Sequence, residues 1–550
     1  LNKKKFFGLL FSILILSFLL AACGGNDKDG KSKETNENGE NGKGSSDEQV
    51  LNMNIRSEPP SLHPGLATDT TSTAVLNQIF EGLTRINQDG VVEEAMAEKI
   101  DVSDDQTTYT FTIRDGATWS NGDPVTAGDF EYAWKWVLDP DNADTDYAYQ
   151  LYYLKNGEAA KNGEVSTEEV GVKAKDDKTL IVELEQPTPY FLDLTAFHTY
   201  YPVNQKVVEN APDWSLDVSD DYVTNGPFLL DSWKHKDQVV IKKNPEYWDA
   251  DTVSLETINF YMIEDENTEL NMYNNGELDW AGSPNGSLPL SAIPSLMDSG
   301  ELNISPQAGV YYYVFNLKEA PFDNVNIRKA FTLAIDREGI VQNITKGEQQ
   351  PAMAFVPPSI WEENQTGYFE DKDIDKAKEY LEKGLKELGL DELPTIKLSY
   401  NTSESHAALA QAVQEMWREN LGVDVELDNT EWNVFLDKMT NGDFQTGRMG
   451  WSADFNDAIN FLETFRTLGG SNFSQWVDDE YTALLDESRT ETDATKRKAI
   501  LRDAEQILMD AMPIAPVYFY TNVWINKDYV KDVAVTALGG IQFKWGSIEK

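Results

Sequence analysis

Cysteine occurs once in the 550 residues, at Cys23, and histidine only four times, at His63, His198, His235 and His406. One thiol excludes an intrachain disulfide framework and a cysteine-built zinc site. Four histidines far apart in sequence argue against a structural zinc or a His-rich metal centre, so no metal and no cofactor is expected. Positive charge is also scarce: 46 Lys and Arg stand against 94 Asp and Glu, a net charge of −48. Neutralising phosphates takes clustered Lys and Arg, so nucleic acid is excluded as a partner. The same shortage argues against adsorption to anionic lipid through a basic face. The acidic surface reads as a solvating one that keeps an extracytoplasmic protein soluble. GxSxG, HExxH and GxGxxG are missing. Among so many carboxylates no pair stands out as catalytic, and the chain is not expected to be an enzyme.

What is present is a folded globular composition, 40% apolar with 14 Trp, 23 Tyr and 24 Phe. At this length two or three domains with a large core are expected. The start is different in kind. Lys3, Lys4 and Lys5 precede an apolar run over residues 6–20, shorter than the roughly twenty residues of a comfortable membrane span. Leu20-Ala21-Ala22-Cys23 then matches the lipobox of bacterial lipoproteins. Residues 1–22 therefore read as a signal peptide and Cys23 as the site of lipidation, the anchor to the cell membrane. Residues 24–49 are polar or glycine and cannot bury enough surface to fold, so 23–49 form a lipidated, disordered tether. Gly25 to Ser32 satisfies the Walker A pattern. A phosphate loop must follow a buried strand and open a helix, and this one does neither.

From residue 50 onward the pattern is α/β. Leu51, Met53 and Ile55 alternate as a strand, and residues 109–113 and 179–184 do likewise. Ile327, Ala330, Phe331, Ala334 and Ile335 fall on one helical face, with Asp323 and Asn324 placed to cap it. Helical periods recur over residues 374–388, 409–421 and 500–511, with strands between or after them. Asp371, Asp373, Asp375 and Glu382 resemble a calcium loop, but Lys376 stands where the sharp turn needs glycine. Acidic residues favouring a helix N-terminus explain them better.

The most informative stretch is 448–462. A strand over 444–449 is expected to end at Gly450, turn through Trp451, Ser452 and Ala453, and present Asp454. Flanked by Trp451 and Phe455, that carboxylate is partly desolvated and needs a cation or several N–H donors to stay charged. The nearest basic residue, Arg448, is six positions back. The expected cation is therefore an amine carried by a ligand.

Several motifs carry a resemblance in collinear order from about residue 50 to 530. They are Phe80-Glu81-Gly82-Leu83, Ile113-Arg114-Asp115-Gly116 with Trp119-Ser120-Asn121-Gly122-Asp123-Pro124-Val125, and Asn225-Gly226-Pro227-Phe228. Asn244-Pro245 with Tyr247-Trp248 follows. So do Pro321-Phe322 through Arg337, Trp451-Ser452-Ala453-Asp454-Phe455-Asn456 and Pro516-Val517-Tyr518-Phe519-Tyr520. Together they resemble the oligopeptide-binding proteins of ABC importers, the family 5 extracellular solute-binding proteins.

The resemblance implies a two-lobed, periplasmic-binding-protein-like fold of the type II, three-domain peptide-binding variant, with a hinged central cleft. Residues 50–70, 201–308 and 522–550 correspond to domain I, 71–200 to domain II and 309–521 to domain III, with crossings near Gly309 and Asn522. Asp454 matches the aspartate that pairs with a peptide's α-amino group. Arg448 and His406 match groups that meet its carboxylate. Trp432 and Trp451 match pocket walls, Asn401 and Tyr312 match cleft-facing positions, and Glu58 and Ser61 match the segment beside the ligand. The cysteine pair that some Gram-negative relatives carry is replaced by Gly309 and Ser452. No counterpart is found within residues 351–367 for a basic residue that relatives use on some carboxylates. The implied role is a monomeric, membrane-anchored receptor that delivers oligopeptides to ABC permease subunits. Alternatives are the same fold holding a dipeptide, nickel complex, haem or sugar, a pheromone receptor, or a secreted glycan hydrolase with a carboxylate pair at catalytic spacing.

Overall fold

The computed structural model describes residues 49–550 other than 143, 212 and 492. The expected signal peptide, the lipidation site Cys23 and nearly all of the tether lie outside these. Gln49, assigned to the tether, is instead tied to Ile548 by two side-chain hydrogen bonds. Among the described residues, no helix is long and apolar enough to cross a membrane.

Three larger sheets organise the chain. In the first, strand Val50–Asn54 buries Leu51 and Met53 and pairs in parallel with Thr257–Tyr261. Gln238–Lys243 and Phe228–Lys234 continue that sheet antiparallel. The first strand of the described residues thus shares a sheet with segments far along the chain. The second sheet is antiparallel throughout, in the order Ala97–Val102, Thr108–Ile113, Thr179–Glu183, Val172–Asp176. Tyr109, Phe111 and Ile113 point inward at period two. Helix Ala127–Leu138 covers the sheet and buries Phe130 and Trp134 completely.

The third sheet is built on two thirteen-residue strands, Asn303–Phe315 and Ile514–Asn526, paired antiparallel with a break between Pro306 and Val310. Trp280–Gly282 joins one edge; Thr446–Ser452, Ile396–Asn401 and Val425–Thr430 extend the other. The uncharged run 310–315 is two-faced. Tyr311, Tyr313 and Phe315 enter one core with Ile327, Phe331 and Trp417. Val310, Tyr312 and Val314 enter another with Phe355 and Phe461. Helix Val325–Leu333 starts where Asn324 accepts from the amides of Asn326 and Ile327. Helix Ile374–Leu388 starts at Asp373, whose side chain accepts from the Lys376 amide, while Asp371 pairs with the fully buried Arg337. Two of the three aspartates of the calcium-like pattern therefore serve a cap and an ion pair.

A second expectation is corrected. The strand before Asp454 does not end at Gly450 but runs Thr446–Ser452, because its pairing with residues 309–315 continues to Ser452 opposite Gly309. Glycine suits position 450 because Tyr520 lies on the strand there. A Cβ would come within 2.2 Å of its hydroxyl.

Candidate functional site

Strands of the third sheet, with loops and helices from the rest of the chain, line a cavity of about 660 Å³. Of the nine expected ligand residues, the structure brings six to its lining: Asp454, Trp451, Arg448, His406, Trp432 and Asn401. Tyr312, Glu58 and Ser61 are elsewhere. Alternation along its strand turns Tyr312 into the core, 3% exposed and edge-on to Phe355 at 5.5 Å. Glu58 anchors a hairpin, accepting from Trp233 Nε1 (2.8 Å) and the Lys236 amide (2.5 Å), with His235 Nδ1 at 2.7 Å. Ser61 accepts from the His63 amide at 3.1 Å and shapes the approach to helix Thr70–Ile79.

Asp454 follows the strand end, where the Ala453 amide donates to Ala308 O at 2.8 Å. Its Oδ2 accepts from Asn460 Nδ2 (3.0 Å) and Gln150 Nε2 (2.8 Å). Oδ1 accepts no hydrogen bond among the described residues, and none of their Lys or Arg side chains forms an ion pair with the carboxylate. Burial pushes its pKa up to about 7, and the two hydrogen bonds only partly oppose this. Asn460, at the start of the short helix Ile459–Leu462, also accepts from Trp451 Nε1 (2.9 Å) and from the Asp454 amide (3.1 Å). One buried amide thus fixes the indole, the backbone and the carboxylate. Tyr147 and Tyr149 sit near enough that Asp454, after burial itself, raises both phenols well above their usual range.

Arg448 is the opposite case. Its guanidinium lies 5.0 Å over the Tyr311 ring and donates weakly to Asn401 Oδ1 and Tyr520 Oη, both at 3.3 Å. Its Nε is buried without a partner, and no carboxylate among the described residues pairs with it. His406, in the first turn of helix Glu404–Leu421, is held neutral: burial first, then the charges of Arg448 and Arg56, drive its pKa well below 6.5. Trp432 opens helix Trp432–Asn441, stacks on Phe435 and keeps its Nε1 unpartnered. The cavity therefore holds a carboxylate without a cation and a guanidinium without an anion. Leaving either charge uncompensated costs several kcal/mol.

Polar and aromatic contacts close the walls. Glu266, from helix Glu266–Asn275, accepts from Ser403 Oγ (2.7 Å), Ser405 Oγ (2.8 Å) and the Ser405 amide (3.2 Å) at the start of helix Glu404–Leu421. Arg466 pairs with Glu158 at 3.2 Å, and Tyr190 stacks on Phe455 at 4.7 Å. Three side chains that sequence reasoning did not single out, Gln150, Asn460 and Glu266, do much of the positioning. Asn460 lay within the recognised stretch; the other two meet their partners across more than a hundred residues of chain.

The model of the bacterial extracellular solute-binding proteins, family 5 Middle, matches residues 91–473. The chain is 55% identical to the oligopeptide-binding protein OppA of Bacillus subtilis over 547 residues, covering 98% of this chain and 99% of that protein. The structure is similar to Haemophilus influenzae OppA in complex with RPPGFSPFR, with a TM-score of 0.86 at 32% identity, over 92% of this chain and all of that one. Against the unliganded open form of the periplasmic murein tripeptide-binding protein MppA the TM-score is 0.61 at 30% identity, over 92% of this chain and 98% of that one. Over the whole chain the similarity is thus higher to that peptide complex than to that unliganded open form.

Proposed function

Because the chain belongs to the bacterial extracellular solute-binding proteins of family 5, we propose that it is an extracytoplasmic receptor. It encloses oligopeptides in the cavity and delivers them to the permease of an ABC importer. The observation that carries this reading is the pair of uncompensated charges. Asp454 receives the peptide's ammonium group and Arg448 its carboxylate. The two residues lie six positions apart along a largely extended segment, a span of at most about 20 Å. That leaves room for a short peptide between them. Between the charges the peptide backbone bonds like an added strand, while side chains enter hydrated pockets that water adapts to each one.

Residues 50–70, 201–308 and 522–550 form one lobe, residues 309–521 the other, and residues 71–200 lengthen the cleft. The paired strands Asn303–Phe315 and Ile514–Asn526 supply the hinge. Peptide favours the closed form because only there do both lobes touch it. The protein acts as a monomer without enzymatic activity, held at the membrane by a lipid on Cys23.

Native mass spectrometry of protein lacking residues 1–48 tests the assignment, with sequencing of whatever denaturation releases. A mixed set of short peptides, lost in Asp454→Ala, supports it. A single sugar, metal complex or haem, or retention unchanged by the substitution, refutes it.

A further inference from the structure

Arg56 belongs to none of the motifs above. It follows the first strand, lines the cavity and adopts φ 68°, a left-handed backbone that a long side chain rarely takes and glycine takes freely. Its Nη2 is buried and has no hydrogen-bond partner. Glu266 Oε1 lies 3.9 Å away, beyond hydrogen-bond reach, and that carboxylate already accepts three bonds from Ser403 and Ser405. Glu264 also feels the Arg56 charge but accepts no bond from it. A strained backbone thus holds a cation beside the cavity with its donor unused. Such strain is typical of ligand clamps.

The position of Arg56 relative to Arg448 gives that donor a use. Arg448 comes from a different sheet and also has a buried N–H without a partner. His406 lines the same cavity and connects to both: its amide donates to Ser403 Oγ at 3.2 Å, a serine bonded to the Glu266 beside Arg56, and its Nδ1 lies 3.5 Å from the hydroxyl of Tyr311, the ring under Arg448. Two guanidiniums that each keep a buried N–H without a hydrogen-bond partner, one with no ion pair among the described residues and one only 3.9 Å from Glu266, are a setting for an anion that arrives with the ligand.

We propose that Arg56 is a ligand-binding residue: together with Arg448 it forms a two-arginine site, with His406 beside it, for a carboxylate of the bound peptide. The inference rests on the peptide-receptor reading and deepens it. The carboxylate is either the peptide's C-terminus or an acidic side chain. Arg56 follows strand Val50–Asn54 of the first sheet and Arg448 lies on strand Thr446–Ser452 of the third, so a carboxylate bridging them favours closure. Peptides with a carboxylate at this place are selected over those without one.

The test uses alanine peptides of three to six residues, each as free acid and as C-terminal amide, with calorimetric affinities for the wild-type protein, Arg56→Gly and Arg56→Lys. Glycine relaxes the backbone at this φ, so the variant is expected to fold. The wild type should prefer the free acid, and Arg56→Gly should shrink that preference about tenfold, with Arg56→Lys between the two. The penalty for N-acetylating the peptide should stay unchanged, because it reports Asp454. Amidated peptides carrying Glu or Gln at one position separate the two sources. Discrimination between them that depends on Arg56 places a side-chain carboxylate in the site. If Arg56→Gly leaves acid-over-amide and Glu-over-Gln preferences intact, or weakens all peptides equally, the two-arginine site is overturned. If the wild type binds no peptide of any kind, it is the receptor reading that fails.

Discussion

Replacing Asp454 by Asn should make the empty receptor more stable and the binding of peptide weaker. The carboxyl group is pushed from its ordinary 3.8 up to about 7 by burial, which corresponds to about 4 kcal/mol. That is an upper figure, since Oδ1 faces the cavity. The sign follows from proton binding. Between pH of about 4 and 7 the native state holds a proton that the unfolded chain has lost, so stability falls as pH rises through that window. The contribution of Asp454 is fully present below the unfolded value and gone above about 7. Asparagine does not titrate, and its carbonyl oxygen can accept from Gln150 and Asn460 as Oδ2 does. Thermal unfolding of ligand-stripped protein should therefore show wild type and Asp454→Asn similar near pH 4. At pH 8 the variant should lead by several degrees. Glu269, buried and likewise raised to about 7, titrates in the same window, but it is common to both proteins and cancels in the difference. Parallel pH curves would mean that Asp454 is solvated or already paired, and the reasoning would be wrong.

Three other changes bear on separate parts of the structure. Glu266→Ala removes the bonds to Ser403 and Ser405 and should cost the closed form about 2 kcal/mol; small-angle scattering should show a larger empty protein, and peptide affinity should fall by more than tenfold. Asn460→Ala leaves the Trp451 indole and the Asp454 amide unpaired; titration calorimetry should show peptide affinity at least tenfold lower, with melting lowered by only a few degrees. Cys23→Ser should move the protein from the membrane fraction to the medium, measured by fractionation and by loss of incorporated fatty acid.

Local chemistry explains which parts of this were readable in advance. The tryptophan, aspartate and phenylalanine of 451–455 announce a desolvated carboxylate whatever the fold, and the cap at Asn324 follows from side-chain chemistry within three residues. The helix over residues 409–421 was legible from its period, and the structure extends it to Glu404–Leu421. What one strand does to its neighbours was not. Tyr312 faces away from the cavity because its partners on either side put Tyr311 and Tyr313 in the other core. The strand through Gly450 continues because residues 309–315 are there to pair with it. Glu58 satisfies Trp233, His235 and Lys236 rather than a ligand, a pairing set by a hairpin remote in sequence. Gln150 reaches Asp454 across 304 positions. No spacing rule connects them.

The capture of a peptide's amino group by Asp454 is tested most directly by a thermodynamic cycle. One peptide is prepared free and N-acetylated, and both forms are titrated against wild type and Asp454→Asn at pH 7.5. If the amine pairs with Asp454, acetylation should cost the wild type about a hundredfold in affinity and the variant almost nothing. Equal penalties in the two proteins would show that the amine is bound elsewhere.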